Sequence, residues 1–427
     1  MSERPFRFVH ASDLHLEQPL RGVAVVPDHL RESFADAAYL AAKNVFDTVL
    51  AEEAAFLLLA GDVLDPHRAG ARGLSLLLEQ FDRLAERSIG VYWAGGRADP
   101  PDRWPTAVPL PRQVHIFAQG MPEEVTHHRD GEPLATILGS SYADRRNAPV
   151  RDFRGGSAGR FTVAVAFGHA NPERLAKSHV DYWALGGRHA RSMLLAAAPA
   201  AHYPGSPQGR SPAELGPHGC TVVHVDEDHE IRTQAVETDV LRWHNERIQL
   251  EPGATGTDLE RLLYERIEEL VESNSGRHLL IRWRIAADPQ LAARLRRDRL
   301  AKELTDRLRS EFGHRAPAAW TISLEAQSPA KLPAQWYEEK TILGDFLRAA
   351  RYYQTEHDEP LDLEPFLSAS EAADDLDSVA DLTAPTTRRR VLKEVSVLGA
   401  DLLGGHDARG PLETDTPPAA RLEETTT

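Results

Sequence analysis

The sequence predicts a layered α/β protein with a second, smaller α+β domain. Residues 1–235 alternate short apolar runs with helical stretches near residues 28–53 and 71–87, a pattern typical of a layered α/β domain. Charged and imidazole side chains come just after the apolar runs, where open α/β sheets place their ligands. From about residue 243 the pattern changes to β-α-β-α-β, which indicates a compact second domain.

The first domain, residues 1–240, contains six predicted strands and a closing hairpin. The hairpin is predicted over residues 221–238 around Asp226-Glu227-Asp228, because apolar and polar residues alternate on both sides of that acidic turn. The six strands are predicted at residues 6–11, 56–60, 89–94, 114–118, 161–167 and 182–185.

The second domain, residues 241–330, is predicted to place strands 248–250, 279–285 and 320–324 around helices 257–273 and 289–311. The second helix is rich in basic residues, which indicates either a solvated face balanced by acidic neighbours or a patch for phosphate backbones. Its basic residues are Arg294, Arg296, Arg297, Arg299, Lys302, Arg307 and Arg309.

Residues 331–356 are predicted to contain one helix, from residue 335 to about residue 353. Ile342, Leu343, Phe346 and Leu347 lie at helical spacing in it, which fits either a core face or a docking face. Residues 357–427 form an acidic tail rich in proline, alanine and threonine, predicted to be mostly disordered with one short helix over residues 388–403.

The composition predicts a cytoplasmic protein. The one cysteine, Cys220, excludes a disulfide framework and a thiolate metal cluster, and no apolar run approaches the ~18 residues of a membrane span. The net charge of -16 is uneven, since residues 356–427 hold 17 acidic and 6 basic residues and residues 1–355 carry only -5. Charge therefore neither favours nor excludes nucleic-acid binding by residues 1–355.

Two motifs that follow apolar strands predict a metal site. Asp13-Leu14-His15 follows the first predicted strand, and Gly61-Asp62-Val63-Leu64-Asp65 follows the second. Carboxylate and imidazole ligands suit divalent manganese, zinc or iron, and two such ions ~3.5–4 Å apart can clamp a phosphate and hold its attacking hydroxide. Each motif alone is weak, but the ordered pair after two strands is much more specific.

Later motifs extend the pattern and give it a family resemblance. Phe167-Gly168-His169 ends one predicted strand, and residues 181–189 end the next with Gly187-Arg188-His189. They are followed by residues 203–210, Tyr-Pro-Gly-Ser-Pro-Gln-Gly-Arg. Together these motifs resemble the calcineurin-like metallophosphoesterases, and among them the DNA-repair exonuclease subunits of the SbcD/YhaO type.

The resemblance implies a β-sandwich flanked by helices over residues 5–235 and a capping domain after it. It also implies a first metal held by Asp13, His15, Asp62 and His189. A second metal would take Asp62 and His169, but Arg97 and Gly187 stand where the family has its other two ligands. Arginine has no lone pair to give, so at most one ion, manganese or else zinc or iron, is expected.

The catalytic histidine of the family's Gly-Asn-His-Asp motif is also missing, because Ala98 stands in its place. Arg97 is interpreted either as drift, with its charge neutralising Asp62 and Asp99, or as a phosphate-binding group together with Arg188. His169 and His189 could each be a core histidine instead of a ligand, although their positions at strand ends favour the site.

Three functional hypotheses follow. The first is an impaired nuclease-like subunit that works with a coiled-coil SMC-type ATPase of the SbcC/YhaN type, the partner that the resemblance implies. The second is an active metal-dependent DNA phosphodiesterase that uses one ion with Arg97 or Arg188. The third, a small-molecule phosphatase, fits the capping domain and residues 203–210 less well. DNA binding and a homodimer stay open at this stage.

Overall fold

The computed structural model of this chain describes residues 4–143, 147–156, 159–274, 276–297, 299–327, 332–355 and 385–403. The chain divides into two compact units. The first comprises residues 1–244, 273–280 and 314–320, and the second comprises residues 245–272, 281–313 and 321–427. Most of the predicted acidic tail lies outside the described residues.

The first unit contains two six-stranded mixed sheets. The first sheet has the strand order β12-β11-β1-β2-β3-β4, and the second has the order β5-β6-β7-β8-β10-β9. The strands are β1 (Phe6–Ala11), β2 (Phe56–Leu59), β3 (Gly90–Ala94), β4 (Val114–Phe117), β5 (Glu123–Arg129), β6 (Glu132–Ser140), β7 (Phe161–Phe167), β8 (Tyr182–Gly186), β9 (Ser192–Leu195), β10 (Ala200–Tyr203), β11 (Gly219–Val225) and β12 (Ile231–Glu237).

Among its described residues, this unit has three α-helices: α1 (Arg31–Ala51), α2 (Pro66–Glu86) and the short α3 (Pro172–Leu175). Helix α2 is interrupted at Gly70, whose φ of 63° is not helical. Short 3₁₀ turns lie at Asp28–Leu30, Pro101–Arg103 and Val150–Asp152. Within the described residues, none of the helices combines the length and the apolar character that crossing a membrane requires.

Aromatic packing joins the two sheets into a sandwich. Phe8 and Phe56 of the first sheet stack with their ring centroids 4.9 Å apart, and Phe8 meets Tyr182 of the second sheet edge-on at 5.0 Å. Such rings bury large apolar areas and add specific pair geometry, so they fix the separation of the sheets. A second core, centred on Phe46 and Phe81, lies between the first sheet and helices α1 and α2. The predicted sandwich flanked by helices is confirmed.

The register of the central strands brings two chain segments together. Strands β1 and β2 are parallel and adjacent, with Ala11 opposite Leu59. Strand β3 continues the parallel set on the other side of β2. Because the carboxyl ends of parallel strands meet at one edge, the segments after β1, β2 and β3 lie side by side. This edge positions the motifs singled out in the sequence.

The second unit holds helices α4 (Gly256–Ser273), α5 (Pro289–Arg297), α6 (Leu300–Phe312), α7 (Ala334–Glu338), α8 (Ile342–Thr355) and α9 (Pro385–Leu403). A three-stranded sheet has the order β13 (Leu241–Gln249), β14 (His278–Ala286) and β15 (Ala319–Ala326), and the first residues of these strands count with the first unit. The helix predicted over residues 388–403 is confirmed by α9.

Two single-helix predictions in this region were wrong. Residues 289–311 form α5 and α6, not one helix. The helix predicted from residue 335 is two helices, α7 and α8, with a break at residues 339–341. The Thr341 hydroxyl accepts the Gly344 backbone N–H at 3.2 Å, so a side-chain cap starts α8 where the apolar spacing alone suggested continuity.

The basic residues of α5 and α6 mostly bond inside the second unit. Arg296 pairs with Asp401, Arg307 lies 3.2 Å from Glu260, and Lys302 lies 2.6 Å from Asp306. These contacts favour the balanced, solvated face over the phosphate-binding patch.

Candidate metal centre

Two loops are joined at the shared edge of β1 and β2. The backbone N–H groups of Asp13 and His15 donate to the carbonyls of Gly61 and Asp62 at 2.9 and 3.0 Å. Asp13, His15 and Asp62 all have positive φ, at 55°, 44° and 52°. Left-handed backbone in non-glycine residues is uncommon and concentrates at functional sites, and here it turns three chemically active side chains toward one point.

Asp13, His15 and His189 form a cluster: each offers a ligand atom, and those atoms lie within 4.8 Å of one another. Asp13 and His15 are buried, and His189 is half-buried. Asp13 Oδ1 is 4.0 Å from His15 Nε2 and 4.0 Å from His189 Nε2. Asp62 Oδ2 lies 3.6 Å from His15 Nε2, beside this cluster. The structure thus brings three residues of the predicted first site together and places Asp62 next to one of them.

The inward-facing atoms of this group fit one divalent cation. In the described part of the chain, no hydrogen-bond partner reaches Asp13 Oδ1 or His15 Nε2, although both atoms are buried. Buried polar atoms are normally satisfied, so such a pair facing the same point indicates a ligand. Two carboxylates with two imidazoles suit manganese, zinc or iron. A bound ion would supply a Lewis acid for a phosphate oxygen.

The other atoms of the ligands are held by neighbours. Asp13 Oδ2 accepts the Ser12 hydroxyl at 2.6 Å and the Gly187 N–H at 3.0 Å. Burial raises the pKa of the Asp13 carboxyl, and these two bonds oppose that rise. Because Oδ2 is occupied by two donors, Oδ1 is the oxygen that remains for a metal.

Carboxylates orient both imidazoles. Glu17 Oε1 lies 3.2 Å from His15 Nδ1, and Glu214 Oε1 lies 2.7 Å from His189 Nδ1. Burial acts to raise the pKa of Glu214, but the hydrogen bond from His189 and the contacts of Arg210 lower it to about 2. An ionised carboxylate at Nδ1 holds the proton there and leaves the Nε2 lone pair for a metal.

The residues on the other side of Asp62 do not fit a second ion. Asp62 Oδ1 accepts the Ala98 backbone N–H at 2.8 Å, so one of the acceptor sites of that oxygen is already used. His169 is exposed, and its Nδ1 lies 3.1 Å from Arg188 Nη2. Gly187 contributes only a backbone N–H, which bonds to Asp13.

Arg97 does not neutralise the carboxylates as the drift interpretation expected. Its side chain is exposed and lies over the Tyr142 ring, with the guanidinium carbon 5.5 Å from the centroid. Within the described residues Arg97 makes no ion pair with Asp62 or Asp99. Arg188 lies over the Tyr203 ring at 4.6 Å and beside His169. The two arginines are thus supported by separate aromatic residues at the rim of the site.

Asp99, the acidic residue that follows Arg97 and Ala98, has a structural role. Its Oδ1 accepts the N–H groups of Asp62 and Gly96 at 2.8 and 2.6 Å. Its Oδ2 accepts the Val63 N–H at 3.0 Å and the Trp93 Nε1–H at 2.8 Å. Burial, and then repulsion from Asp62, raises the pKa of Asp99 to about 7. The side chain fixes the loops after β2 and β3 against each other.

We expect Asp99→Asn to lower the free energy of unfolding by about 2 kcal/mol, because an amide has one acceptor oxygen and leaves two of the four N–H donors unpaired. Relief of the repulsion from Asp62 offsets part of the loss. Urea unfolding measures the change, with Asp102→Asn as the matched control because Asp102 is exposed. Equal stability of the two variants would show that Asp99 does not fix the loops.

A cleft of about 930 Å³ opens beside His189. Its lining includes Arg188, Arg191, Glu214 and His218. That volume is in the range of small-molecule and nucleotide sites, and two arginines suit phosphate oxygens.

Sequence reasoning missed the groups that orient the ligands. Glu17 and Glu214 were assigned no role, and Arg210 was noted only as part of the segment 203–210. A metal-binding imidazole almost always donates its other ring N–H to a carboxylate, a carbonyl or water. This rule could have directed attention to acidic residues near His15 and His189.

The similarity of this chain to a known protein agrees with the metal-binding cluster described above. No protein-family model matches the chain. Over 283 residues the chain is 29% identical to the uncharacterized metallophosphoesterase YhaO of Bacillus subtilis (strain 168), a match over 63% of this chain and 69% of that protein. The chain has the fold of a metallophosphoesterase.

This similarity supports the calcineurin-like metallophosphoesterase resemblance that the strand-end motifs suggested, together with the use of a divalent metal. A dimetal phosphatase from Danio rerio aligns with a TM-score of 0.34 and 11% identity, over 55% of this chain and 96% of that one. That TM-score is too low to support a conclusion about this site.

Proposed function

We propose that this protein is a phosphodiesterase-type subunit of the SbcD/YhaO DNA-repair exonuclease type, impaired in catalysis because it holds one metal instead of two. The observation that carries the proposal is the shortage of ligands for a second ion: Gly187 offers only a backbone N–H, which bonds to Asp13, and the His169 imidazole lies against Arg188. Asp13, His15 and His189 each offer a ligand atom for the first ion.

Loss of the second ion removes most of the catalytic machinery. In two-metal phosphoesterases the ions clamp the attacking and the leaving oxygens of an in-line displacement. Ala98 also offers no side chain for acid–base assistance, which contributes ~10²–10⁴-fold where it exists. A single ion beside Arg188 can still bind a phosphate, so nucleic-acid binding with little turnover is the expected behaviour.

Metal analysis and a nuclease assay test the proposal together. We expect purified protein equilibrated with Mn²⁺ to hold about one ion per chain, because the donor set fits one, and to cleave linear DNA at close to the rate of protein-free controls. Two ions per chain with robust cleavage would refute it.

The alternative is an active DNA phosphodiesterase that uses one ion with Arg97 or Arg188. The cleft beside His189 favours it, because Arg188 lines the cleft. Robust cleavage with one Mn²⁺ per chain would support this alternative over the impaired subunit.

We further propose that a coiled-coil SMC-type ATPase of the SbcC/YhaN type is the partner. The support is an exposed apolar set on α8 and α9, two helices that pack together in the second unit around Leu347 and Ala400. A stoichiometric complex on size-exclusion chromatography is the corresponding measurement, and separate elution of the two proteins would argue against it. The exposed set is Ile342, Tyr352, Tyr353, Val395, Leu398, Leu402 and Leu403.

A further inference from the structure

Two arginines line the cleft beside His189 without a carboxylate partner. Arg188 precedes this histidine directly, Arg191 follows it by two positions, and within the described residues neither guanidinium forms an ion pair. Glu214, the one carboxylate among the lining residues, is already bonded to His189 and to the Arg210 N–H. Positive charges that no carboxylate balances raise the local concentration of anions, so the cleft favours an anionic ligand.

A buried hydroxyl holds Arg191 in place. The Arg191 Nη1–H donates to Thr221 Oγ1 at 2.7 Å, and Thr221 is buried in strand β11. The same hydroxyl oxygen lies 3.0 Å from His202 Nε2. Burial, and then the charge of Arg191, lowers the pKa of His202 to about 3, so this imidazole is neutral and can accept the Thr221 O–H. Among the described residues the Arg191 guanidinium forms no other hydrogen bond, so its remaining donors are left for a ligand.

Arg188 is held by different neighbours, on another side of strand β10. Its guanidinium carbon lies 4.6 Å from the centroid of the buried Tyr203 ring, and its Nη2 lies 3.1 Å from His169 Nδ1. Tyr203 and His202 are consecutive in β10, so their side chains point to opposite faces of the second sheet. Arg188 and Arg191 are therefore two separate positive points, and separate points suit successive phosphates of a strand better than one phosphate group.

We propose that the cleft binds a nucleic-acid strand through at least two of its phosphates, and that Arg191 anchors a phosphate other than the one at the metal. Thr221 is a positioning residue, which acts through Arg191. This inference rests on the proposed function and specifies its ligand, since a small phosphate monoester has no second phosphate for Arg191.

Fluorescence anisotropy with a labelled single-stranded oligothymidylate tests the anchor on the full chain with Mn²⁺. We expect Arg191→Met to weaken binding by about tenfold, because a hydrogen bond between two charged groups is lost. The plot of log affinity against log salt concentration should become less steep by about 0.7, the change for one phosphate contact on a single strand. Arg112→Met is the matched control and should bind like the unchanged protein, because Arg112 is exposed and precedes β4, at the opposite edge of the first sheet.

Two further comparisons test the separate phosphate and the role of Thr221. The factor lost in Arg191→Met should be the same with Mn²⁺ and with EDTA, since independent contacts contribute additively. Thr221→Val removes the hydroxyl at nearly constant shape, so it should weaken binding in the unchanged protein but not in an Arg191→Met background. Thr221→Ser keeps the hydroxyl and should bind like the unchanged protein.

The outcomes separate the anchor from the proposed function. Equal affinity and salt dependence in Arg191→Met and the unchanged protein would overturn the anchor and leave the one-metal subunit standing. An effect of Arg191→Met seen only with Mn²⁺, or loss of all binding when Mn²⁺ is removed, would overturn the separate phosphate. An equal loss in Thr221→Val with and without Arg191 would overturn the positioning role of Thr221. No binding of the oligothymidylate by any variant would overturn the nucleic-acid function itself, and the anchor with it.

Discussion

Replacing Asp13 with asparagine should weaken Mn²⁺ binding by at least about 100-fold. Replacing a residue that only hydrogen-bonds to a metal ligand already lowers metal affinity by about 10–100-fold, and Asp13 is a ligand itself. The reason is the direction of the new amide. The Ser12 hydroxyl and the Gly187 N–H both donate to Oδ2, so the oxygen of asparagine must occupy that position. Its NH₂ group then replaces Oδ1 between the two imidazoles, and an amide nitrogen has no lone pair for a metal.

The same substitution should leave the fold intact. Asparagine keeps the shape of the side chain and the two bonds to Oδ2. It also removes a charge whose burial raises the pKa of Asp13 and that is repelled by Asp62. The melting temperature in metal-free buffer should therefore not fall, and circular dichroism should be unchanged. A lower Mn²⁺ affinity in this variant reports on the ligand and not on unfolding.

His169→Ala is the matched comparison for Asp13→Asn in the same calorimetric titration. It removes an imidazole that lies beside Arg188 and outside the cluster, so the affinity for the one ion should be unchanged. A large loss of affinity in His169→Ala would show that a second metal contributes. Unchanged affinity in Asp13→Asn would show that the ion does not bind at Asp13.

The first-site residues could be predicted because local sequence determines where they lie. Asp13, His15 and Asp62 each follow an apolar run, and β1 and β2 are adjacent parallel strands, so a pattern along the chain becomes a cluster in space. His189 follows β8 in the same way, on the second sheet. The strands with continuous apolar runs were therefore located to within a residue or two.

The missed strands and contacts depend on information that a single segment does not carry. Strand β5 reads Glu-Glu-Val-Thr-His-His-Arg and lies at the edge of its sheet, where polar side chains are tolerated. The contact of Glu214 with His189 spans 25 residues, and its geometry depends on the intervening loop. The Arg97 side chain lies over the Tyr142 ring. Tyr142 follows strand β6 of the second sheet, so the segment around Arg97 carries no sign of this contact.

The altered second site can be tested by restoring it, with Arg97→Asn, Ala98→His and Gly187→His combined in one chain. We expect the triple variant to bind a second Mn²⁺ and to cleave DNA about 10²–10⁴-fold faster than the unchanged protein, since that range is typical of acid–base assistance alone. The measurements are the Mn²⁺ content and the initial rate of cleavage under identical conditions.

Restoration carries a structural cost at Gly187. Its φ is +96°, and a Cβ there would lie 3.1 Å from the Phe167 ring, so the ring has to move by a few tenths of an ångström. Histidine is among the residues that tolerate left-handed backbone best, and Asp13, His15 and Asp62 already adopt it nearby. The expected cost is about 1–3 kcal/mol, which urea unfolding of Gly187→Ala measures separately from any gain of a ligand.

The partial variants decide whether the three positions act together. Arg97→Asn alone adds an amide but leaves Gly187 without a side chain, so it should gain neither the second ion nor cleavage. The pair Arg97→Asn and Ala98→His should gain little for the same reason, because two ligands besides Asp62 are still too few for a tight site. A triple variant that is folded and still binds one Mn²⁺ would show that the missing side chains are not what keeps the second ion out.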